Sequence, residues 1–301
     1  MSDMKALMEK AKDAHIVVPA FNIPYLPMME TIVDVLRERN AFALIAVARL
    51  EWVKFESGSQ KAIADEYHRI GDRTHTRLHQ DHVPVIDEDN LTVDYLADIR
   101  RALQLGYDSV MIDASRLPFE ENIAATAEVC RLAHERGVPV EAELGSVMGH
   151  EAKPSKDYEE IFAKRIGFTD PADAEEFVKR TGVDWLSVAV GSVHGSINPA
   201  SKGKEKIAAR IDIEHLASID ARTRIPLVLH GGSAIPIDYL KKSFQHGICK
   251  LNIAADLRKP YEALFAASPE AALAAVREAM HRCVDSLGID GSAKSLGLSR
   301  T

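Results

Sequence analysis

Hydrophobic residues along the chain form short, β-rich runs that alternate with longer stretches of helical periodicity. Residues 28–39 illustrate the helical pattern, since apolar Met29, Ile32 and Leu36 recur at helical spacing. The predicted strands are residues 16–22, 43–47, a segment that ends at 82, 109–113, 138–143, 185–190, 226–229 and 249–253. The predicted helices are residues 28–39, 62–70, 95–105, 119–136, 171–180, 213–219, 236–246, a segment after 258, and 269–287.

Each predicted strand is followed by a helix, or by a loop and then a helix. Repeated βα units form a parallel sheet, and eight of them predict an α/β fold, a (β/α)8 TIM barrel with a C-terminal helical extension. An open, doubly wound sheet is the weaker alternative. No shift in composition marks a boundary, so we expect residues 1–301 to form a single barrel domain.

Two segments depart from the regular alternation. Residues 144–169 contain three glycines, a proline and mixed charges, which predicts a long loop. Loops of this length within a compact domain usually carry function. The tail beyond Ser292 is small and polar, and we expect it to be partly disordered.

Composition and charge exclude several classes of protein. The chain has 301 residues, 46% of them hydrophobic, and a net charge of -8 without a long Lys/Arg run, so nucleic acid is not an expected partner. Cys130, Cys249 and Cys283 lie far apart, which favours a cytoplasmic protein without disulfides or a cysteine zinc site. The start lacks the apolar core of a signal peptide, and no apolar run is long enough to predict a membrane span.

Polar residues recur at the predicted strand ends, where a barrel of this kind carries its active site. They are Asn22, Asp81 with His82, Asp113, Glu143, His194, His230 and Asn252. Each has a structural alternative when taken singly; Asp113, for instance, could cap the following helix. Their convergence on one end of the barrel predicts a functional site there.

Three of these residues, His82, His194 and His230, offer imidazole nitrogens that suit Zn²⁺. A catalytic zinc typically has three protein ligands and one open position, and Glu143 is a candidate fourth or alternative ligand. Asp81 directly precedes a ligand histidine in LHQDH, so we interpret it as a general acid/base facing a metal-bound substrate. The metal would polarise a carbonyl group and stabilise an enolate.

Several sequence motifs carry a resemblance to a known family. They are VPAFNI, LHQDH, SVMIDAS with FEENI, VEAELG, FTDPADAEEFVKRTGVDWLSVAVGSVHG, IPLVLHGGSAIP, GICKLNIAADL and GSAKS. Over nearly its whole length the chain resembles the class II (metal-dependent) ketose-bisphosphate aldolases, which include fructose- and tagatose-bisphosphate aldolases. The resemblance implies a TIM barrel and a zinc enzyme that cleaves a sugar-derived ketose phosphate into two carbonyl fragments, one usually dihydroxyacetone phosphate.

The resemblance also implies cofactors, assembly and residue roles. One catalytic Zn²⁺ per chain is expected, with a monovalent cation as an additional candidate, and relatives form homodimers or homotetramers. Glu151 matches the acid that moves the enediolate proton, Asp113 matches a carboxylate near the metal, and Asp81 would take the C4 hydroxyl proton. The expected substrate contacts are Asn22, Gly195, Gly231, Ser233 and Asn252. The glycines among them let backbone amides approach a ligand closely.

Four positions depart from the family pattern around the phosphate groups of the substrate. They are Ala48 with Arg49 after strand two, Ile197 with Asn198 after VHG, Ala234 in HGGSA and Ala255 in LNIAADL. We therefore expect a substrate different from fructose bisphosphate, and an unphosphorylated or carboxylated substrate is the runner-up. Arg49, Arg77 and Arg116 suit an acidic substrate, because guanidinium groups bind carboxylates and phosphates bidentately, and they equally suit structural ion pairs.

Two other functions compete with a zinc aldolase. A non-catalytic aldolase-like protein would not need both Asp81 and Glu151, since neither is required to hold a fold. A Schiff-base aldolase needs a reactive lysine, and Lys250 is predicted at the start of its strand, away from the catalytic end. Loss of activity with EDTA would support zinc, whereas borohydride trapping would support a lysine imine.

Overall fold

The computed structural model describes residues 4–145, 158–192, 209–232 and 235–299. Eight parallel strands close into a barrel in which each strand pairs with its sequence neighbours and the last pairs with the first. They are β1 (Val18–Asn22), β2 (Ala43–Ala48), β3 (Thr76–Pro84), β4 (Ser109–Asp113), β5 (Val140–Leu144), β6 (Trp185–Val188), β7 (Leu227–Leu229) and β8 (Ile248–Ile253). The predicted TIM barrel is confirmed, and the open sheet is wrong.

Helices follow the strands around the barrel. They are α1 (Met4–Asp13), α2 (Met28–Glu38), α3 (Arg49–Lys54), α4 (Gln60–Ile70), α5 (Tyr95–Gln104), α6 (Phe119–His134), α7 (Tyr158–Ala163), α8 (Pro171–Thr181), α9 (Ile213–Thr223), α10 (Ile237–Phe244), α11 (Ala255–Phe265), α12 (Pro269–Leu287) and α13 (Ser292–Ser295). The predicted helices occur within a few residues of their expected bounds, although α11 begins before residue 258. None of the described helices combines the length and apolar character needed to cross a bilayer.

The helices α1, α3 and α7 were not predicted from the sequence. α1 buries two methionines that stand among charged residues and therefore form no apolar run. α3 begins directly after β2, where Glu51 accepts a hydrogen bond from the backbone N–H of Ala48 at 2.7 Å. α7 lies within the stretch predicted as a loop, so that prediction is wrong for residues 158–163. Tyr158 in α7 donates a hydrogen bond to the carbonyl oxygen of Gly191 at 2.9 Å.

The tail beyond Ser292 packs against the barrel, so the expectation of partial disorder is wrong for residues 292–299. Ala293 and Leu296 are buried in the same cluster as α1. Ser292 Oγ accepts a hydrogen bond from the backbone N–H of Phe42 at 2.9 Å. These partners are distant in sequence, and the polar composition of the tail does not reveal them.

Side chains on each strand alternate between the barrel interior and the surrounding helices. On β2, Ile45 and Val47 pack in the cluster that includes the outer helices, whereas Leu44 and Ala46 pack with α1 in a separate inner cluster. The inner cluster also contains Val18, the first residue of β1. α1 therefore covers the end of the barrel where the strands begin, and polar side chains gather at the opposite end.

Candidate active site

The carboxyl ends of the strands carry polar side chains that face the barrel interior. They are Asn22 on β1, Asp81 on β3, Asp113 on β4, Glu143 on β5, Ser187 on β6, His230 after β7 and Asn252 on β8. The strand register places Asp81 beside Ala48, and Glu143 beside Ser187. Hydrogen bonds and ion pairs link most of these side chains, so they cluster at one end of the barrel.

His82 faces the same site as its neighbour Asp81, although adjacent residues of a regular strand point to opposite faces. The pairing of β3 with β4 shifts in register between Gln80 and Val83. His82 lies in this irregular step with a φ of +23°, a value that few non-glycine residues adopt. The step explains how the LHQDH motif presents an acid and a histidine to one site.

The imidazole rings of His82 and His230 meet at the centre of the site. His82 Nε2 lies 2.8 Å from His230 Nδ1. The outer nitrogens contact carboxylates: His82 Nδ1 is 3.1 Å from Asp113 Oδ2, and His230 Nε2 is 3.0 Å from Glu141 Oε1. When each outer nitrogen carries the proton and donates a hydrogen bond to its carboxylate, both inner nitrogens present lone pairs. Two lone pairs cannot form a hydrogen bond with each other. The pair is then complementary to a cation, either a proton or a metal ion.

The surrounding charges favour one positive charge on this pair. Burial opposes a charged His82, but the carboxylates of Asp81, Asp113 and Glu143 outweigh burial and raise the pKa of His82 to about 10. Burial, and then the charge of His82, lower the pKa of His230 to about 4. The two imidazoles therefore favour one added proton over two.

Asp113 and Glu143 supply the carboxylates nearest to His82 on the following strands. Burial opposes ionisation of Asp113, but hydrogen bonds from His82 and Ser115 outweigh burial and hold the pKa of Asp113 below its usual range. Burial, followed by the charge of Asp113, raises the pKa of Glu143 to about 8. Glu143 Oε2 accepts a hydrogen bond from Ser187 Oγ at 3.4 Å. Asp113 thus orients His82, and Glu143 is a carboxylate whose ionisation a nearby cation would favour.

Asp81 is held between two amide groups. Asn22 Nδ2 donates to Asp81 Oδ2 at 2.9 Å, and Asn252 Nδ2 donates to Asp81 Oδ1 at 2.8 Å. Burial opposes the charged form, but the neighbouring His82, His79 and Lys250 outweigh burial and hold the pKa of Asp81 well below its usual range. Asp81 is therefore an ionised carboxylate whose two oxygens are oriented by the flanking amides.

Two charged residues inside the barrel were not among the predicted site residues. Glu141 and Lys250 are both 0% exposed, and Lys250 Nζ lies 3.8 Å from Asp81 Oδ1. The expectation that Lys250 lies away from the catalytic end is therefore wrong for its side chain. Glu141 precedes Glu143 by two positions, and Lys250 precedes Asn252 by two positions. This period-two spacing on a strand is the signal that would have predicted their inward orientation.

Glu51 is a third residue that sequence reasoning missed. It is 6% exposed, and its Oε2 lies 3.4 Å from Asn22 Nδ2, the amide that also contacts Asp81. Burial is the main cause that raises the pKa of Glu51 to about 8, and the charge of Asp81 adds to it. A buried carboxyl group therefore lies just after β2, next to the departure from the family pattern at Ala48 and Arg49.

The three arginines singled out from the sequence contact the protein itself. Arg49 pairs with Asp87 at 3.5 Å and with Asp98 at 3.3 Å. Arg77 is 3% exposed and donates to the backbone carbonyl oxygen of Thr76 at 2.7 Å. Arg116 donates to the backbone carbonyl oxygen of Asp87. These contacts favour the structural interpretation of all three side chains over substrate binding.

Several predicted residues fall outside the described ranges. They are Glu151, His194, Gly195, Ile197, Asn198, Ser233 and Ala234. Gly231 is described, and its φ of +73° is a conformation that favours glycine. Ala255 is the first residue of α11, and no side chain caps this end of the helix.

Comparison with known proteins connects this geometry to a family. The sequence model of the family "Fructose-bisphosphate aldolase class-II" matches residues 2–295 of this chain. The chain belongs to the class II fructose-bisphosphate aldolase family. It is therefore related to lyases that make and break carbon–carbon bonds, and a metal-dependent aldolase fits the site described above.

Individual class II aldolases match most of the chain. The fructose-bisphosphate aldolase of Staphylococcus epidermidis is 33% identical over 253 residues, which cover 83% of this chain and 79% of that protein. The D-tagatose-1,6-bisphosphate aldolase subunit GatY of Klebsiella oxytoca is 34% identical over 300 residues, which cover 95% and 97%. The crystal structure of the YdjI aldolase of Escherichia coli K12 superposes with a TM-score of 0.75 at 26% identity, covering 97% of this chain and 99% of that one.

This class II aldolase chain has clustered side chains that could hold a metal ion. In the described part of the chain, three groups place potential ligand atoms within 4.8 Å of one another. They are Asp81 with His82 and His230, His79 with Asp81 and Glu141, and His82 with Asp113 and Glu143. Lys250 Nζ already lies 2.9 Å from Glu141 in the second group, so a cation fits better at the first or third.

Proposed function

We propose that the protein is a zinc-dependent aldolase that cleaves or forms a sugar-derived ketose phosphate. The observation that carries this proposal is the pair of facing imidazole nitrogens of His82 and His230, each ring backed by a carboxylate. Imidazole rings held by carboxylates in this way are typical of zinc sites. A monovalent cation, a homodimeric or homotetrameric assembly and a cytoplasmic location complete the proposal as expectations from the family resemblance.

The residues present fit one divalent metal. His82 and His230 would bind it through their inner nitrogens, and His194 would supply the third imidazole. Glu143 is the alternative ligand, because its carboxylate lies within 4.8 Å of a His82 nitrogen and of Asp113. When bound, zinc would act as a Lewis acid that polarises the substrate carbonyl group and stabilises the negative charge that develops during cleavage.

Asp81 would accept the hydroxyl proton that is released as the carbon–carbon bond breaks. Its carboxylate is fixed by the amides of Asn22 and Asn252, so it can accept the C4 hydroxyl proton in cleavage and return it in condensation. Asn252 would also contact the enolate region of the substrate. Glu151 would move the proton of the enediolate carbon.

The ketone-side phosphate group is the part of the substrate that the chain accommodates differently. Glu51 adds a buried carboxyl group beside Asn22, Arg49 is engaged with Asp87 and Asp98, and Ala255 offers no hydroxyl group. These observations favour a second candidate, an aldolase for an unphosphorylated or carboxylated ketose. The two candidates share the metal and Asp81 and differ only in what binds at the phosphate position.

A condensation screen distinguishes the candidates. Zinc-loaded protein would be incubated with dihydroxyacetone phosphate or with dihydroxyacetone, each against a panel of phosphorylated, neutral and carboxylated aldehydes, and products would be identified by mass. We expect products that disappear with EDTA and return with zinc. A protein that binds zinc but yields no product with any pair would contradict the aldolase proposal and support a non-catalytic role.

A further inference from the structure

The interior of the barrel contains a fully buried ion pair directly below the candidate active site. Lys250 Nζ lies 2.9 Å from Glu141 Oε2 and 3.1 Å from Glu141 Oε1, and both residues are 0% exposed. Barrel interiors are usually filled by branched apolar side chains. A buried ion pair contributes little net stability, because desolvating two charges offsets most of their attraction. The pair therefore calls for an explanation other than stability.

Glu141 connects this ion pair to the candidate metal site. Its Oε1 lies 3.0 Å from His230 Nε2, and its Oε2 accepts a hydrogen bond from Trp185 Nε1 at 2.8 Å. An ionised carboxylate at this position holds the proton of His230 on Nε2. The lone pair then remains on Nδ1, the nitrogen that faces His82. Carboxylates in this arrangement fix the tautomer and orientation of a metal-binding histidine.

Asn252 connects the same ion pair to Asp81. Lys250 Nζ donates a hydrogen bond to Asn252 Oδ1 at 2.6 Å. An ammonium group only donates hydrogen bonds, so it selects the oxygen end of the amide and turns the nitrogen end away. The nitrogen end then donates to Asp81 Oδ1 at 2.8 Å. Lys250 thus determines which way the amide beside Asp81 points.

We propose that Lys250 is a positioning residue that orients both halves of the aldolase site, His230 through Glu141 and Asp81 through Asn252. This inference rests on the proposed function. Lys250 Nζ lies beside the cluster of His79, Asp81 and Glu141, at 3.8 Å from Asp81 Oδ1 and 2.9 Å from Glu141 Oε2. Lys250 would act through Glu141 and Asn252, because its ammonium group contacts both and its side chain is 0% exposed.

The test compares variants of the full-length, zinc-loaded protein. Lys250→Met removes the charge and the donors and keeps an unbranched side chain. The double variant Lys250→Met with Glu141→Gln removes both charges, so it leaves no unpaired buried charge and should fold where the single variant does not. Lys12→Met is the control. Lys12 lies on α1, away from the site, and forms a partly buried ion pair with Asp220 at 2.6 Å.

Three quantities would be measured for each variant. They are zinc affinity by competition with a chromogenic chelator, kcat and KM for the best substrate of the condensation screen, and the midpoint of thermal unfolding. In both Lys250 variants we expect zinc binding to weaken about 10- to 100-fold, the range found when partners of metal ligands are removed. We also expect kcat to fall more than KM changes. The double variant should unfold closer to the wild-type temperature than the single variant, yet keep the loss of zinc affinity.

Wild-type zinc affinity and kcat in the double variant would overturn the proposal and leave Lys250 as one half of a structural pair. Equal losses in Lys12→Met would also overturn it, because the effect would then be a general loss of stability.

Failure of the proposed function is a separate result. A wild-type protein that binds zinc without cleaving any ketose fails as an aldolase, while the zinc affinities still decide the role of Lys250. A wild-type protein that binds no zinc overturns both.

Discussion

Replacing Asp81 with asparagine separates the charge of this residue from its shape. Asp81 is 1% exposed, and its two oxygens accept hydrogen bonds from Asn22 Nδ2 and Asn252 Nδ2. An asparagine at position 81 has only one side-chain oxygen. One of the two amide donors, Asn22 Nδ2 or Asn252 Nδ2, would therefore face the new NH2 group and lose its acceptor. Leaving a buried donor unsatisfied costs about 1 to 3 kcal/mol. We therefore expect Asp81→Asn to lower the free energy of unfolding by this amount.

The same substitution should lower turnover far more than stability. General acid/base groups contribute roughly 10²- to 10⁴-fold to rate, and an asparagine cannot accept the hydroxyl proton. Zinc should remain bound, because His82 and His230 keep their carboxylate partners Asp113 and Glu141. Urea unfolding, elemental analysis and the rate of ketose cleavage would measure the three effects. Asp108→Asn is a matched control, because Asp108 is a buried acid that accepts from Arg73 and the Leu78 backbone.

Two results would refute this reasoning. Turnover of Asp81→Asn within a few-fold of wild type would show that another group accepts the proton. Loss of zinc from a folded Asp81→Asn variant would show that Asp81 is itself a ligand, which its position in one cluster with His82 and His230 permits. A comparable loss of turnover in Asp108→Asn would mean that stability limits the assay.

Three further predictions concern the metal, the buried acid and the phosphate position. His82→Ala should remove zinc and activity together while the barrel still unfolds cooperatively; elemental analysis with zinc retained would contradict it. Because the folded pKa of Glu51 is raised to about 8, its contribution to stability is complete below pH 4.5 and is lost as pH rises through 8. Urea unfolding of metal-free protein at pH 6 and 9 should thus show a smaller loss in Glu51→Gln than in wild type, and equal losses would refute the burial argument. Ala255→Thr with Asn198→Lys should tighten dihydroxyacetone phosphate, since a hydrogen bond to a charged group contributes about 1.5 to 3 kcal/mol; calorimetry showing micromolar wild-type binding and no improvement would argue against a diverged substrate.

The alternation of strands and helices was sufficient to predict the barrel, because the period of the hydrophobic pattern depends mainly on local geometry. The strand-end residues Asp81, Asp113 and His230 were predicted because a parallel barrel has one catalytic end. α1 and the tail were missed, since their buried faces contact residues far away in sequence.

Glu141 and Lys250 were missed for a different reason. Their strands were predicted correctly, but a charged residue within a strand is usually assigned to the solvent side. Their period-two spacing from Glu143 and Asn252 indicates the inward orientation, but only the closed barrel shows that each has an oppositely charged partner. Glu51 belongs to a helix that was not predicted at all, so its approach to Asn22 could not be anticipated.

The irregular step in β3 has a consequence for protein design. In a regular strand the acid and the histidine of LHQDH would belong to opposite faces, so copying the two side chains onto another barrel would not reproduce the site. The shift between Gln80 and Val83 and the unusual backbone of His82 would have to be transferred as well. The unit that can be grafted is therefore the irregular stretch of backbone together with both side chains, and in evolution a one-residue insertion or deletion at this step would change the register that sets which face each side chain occupies.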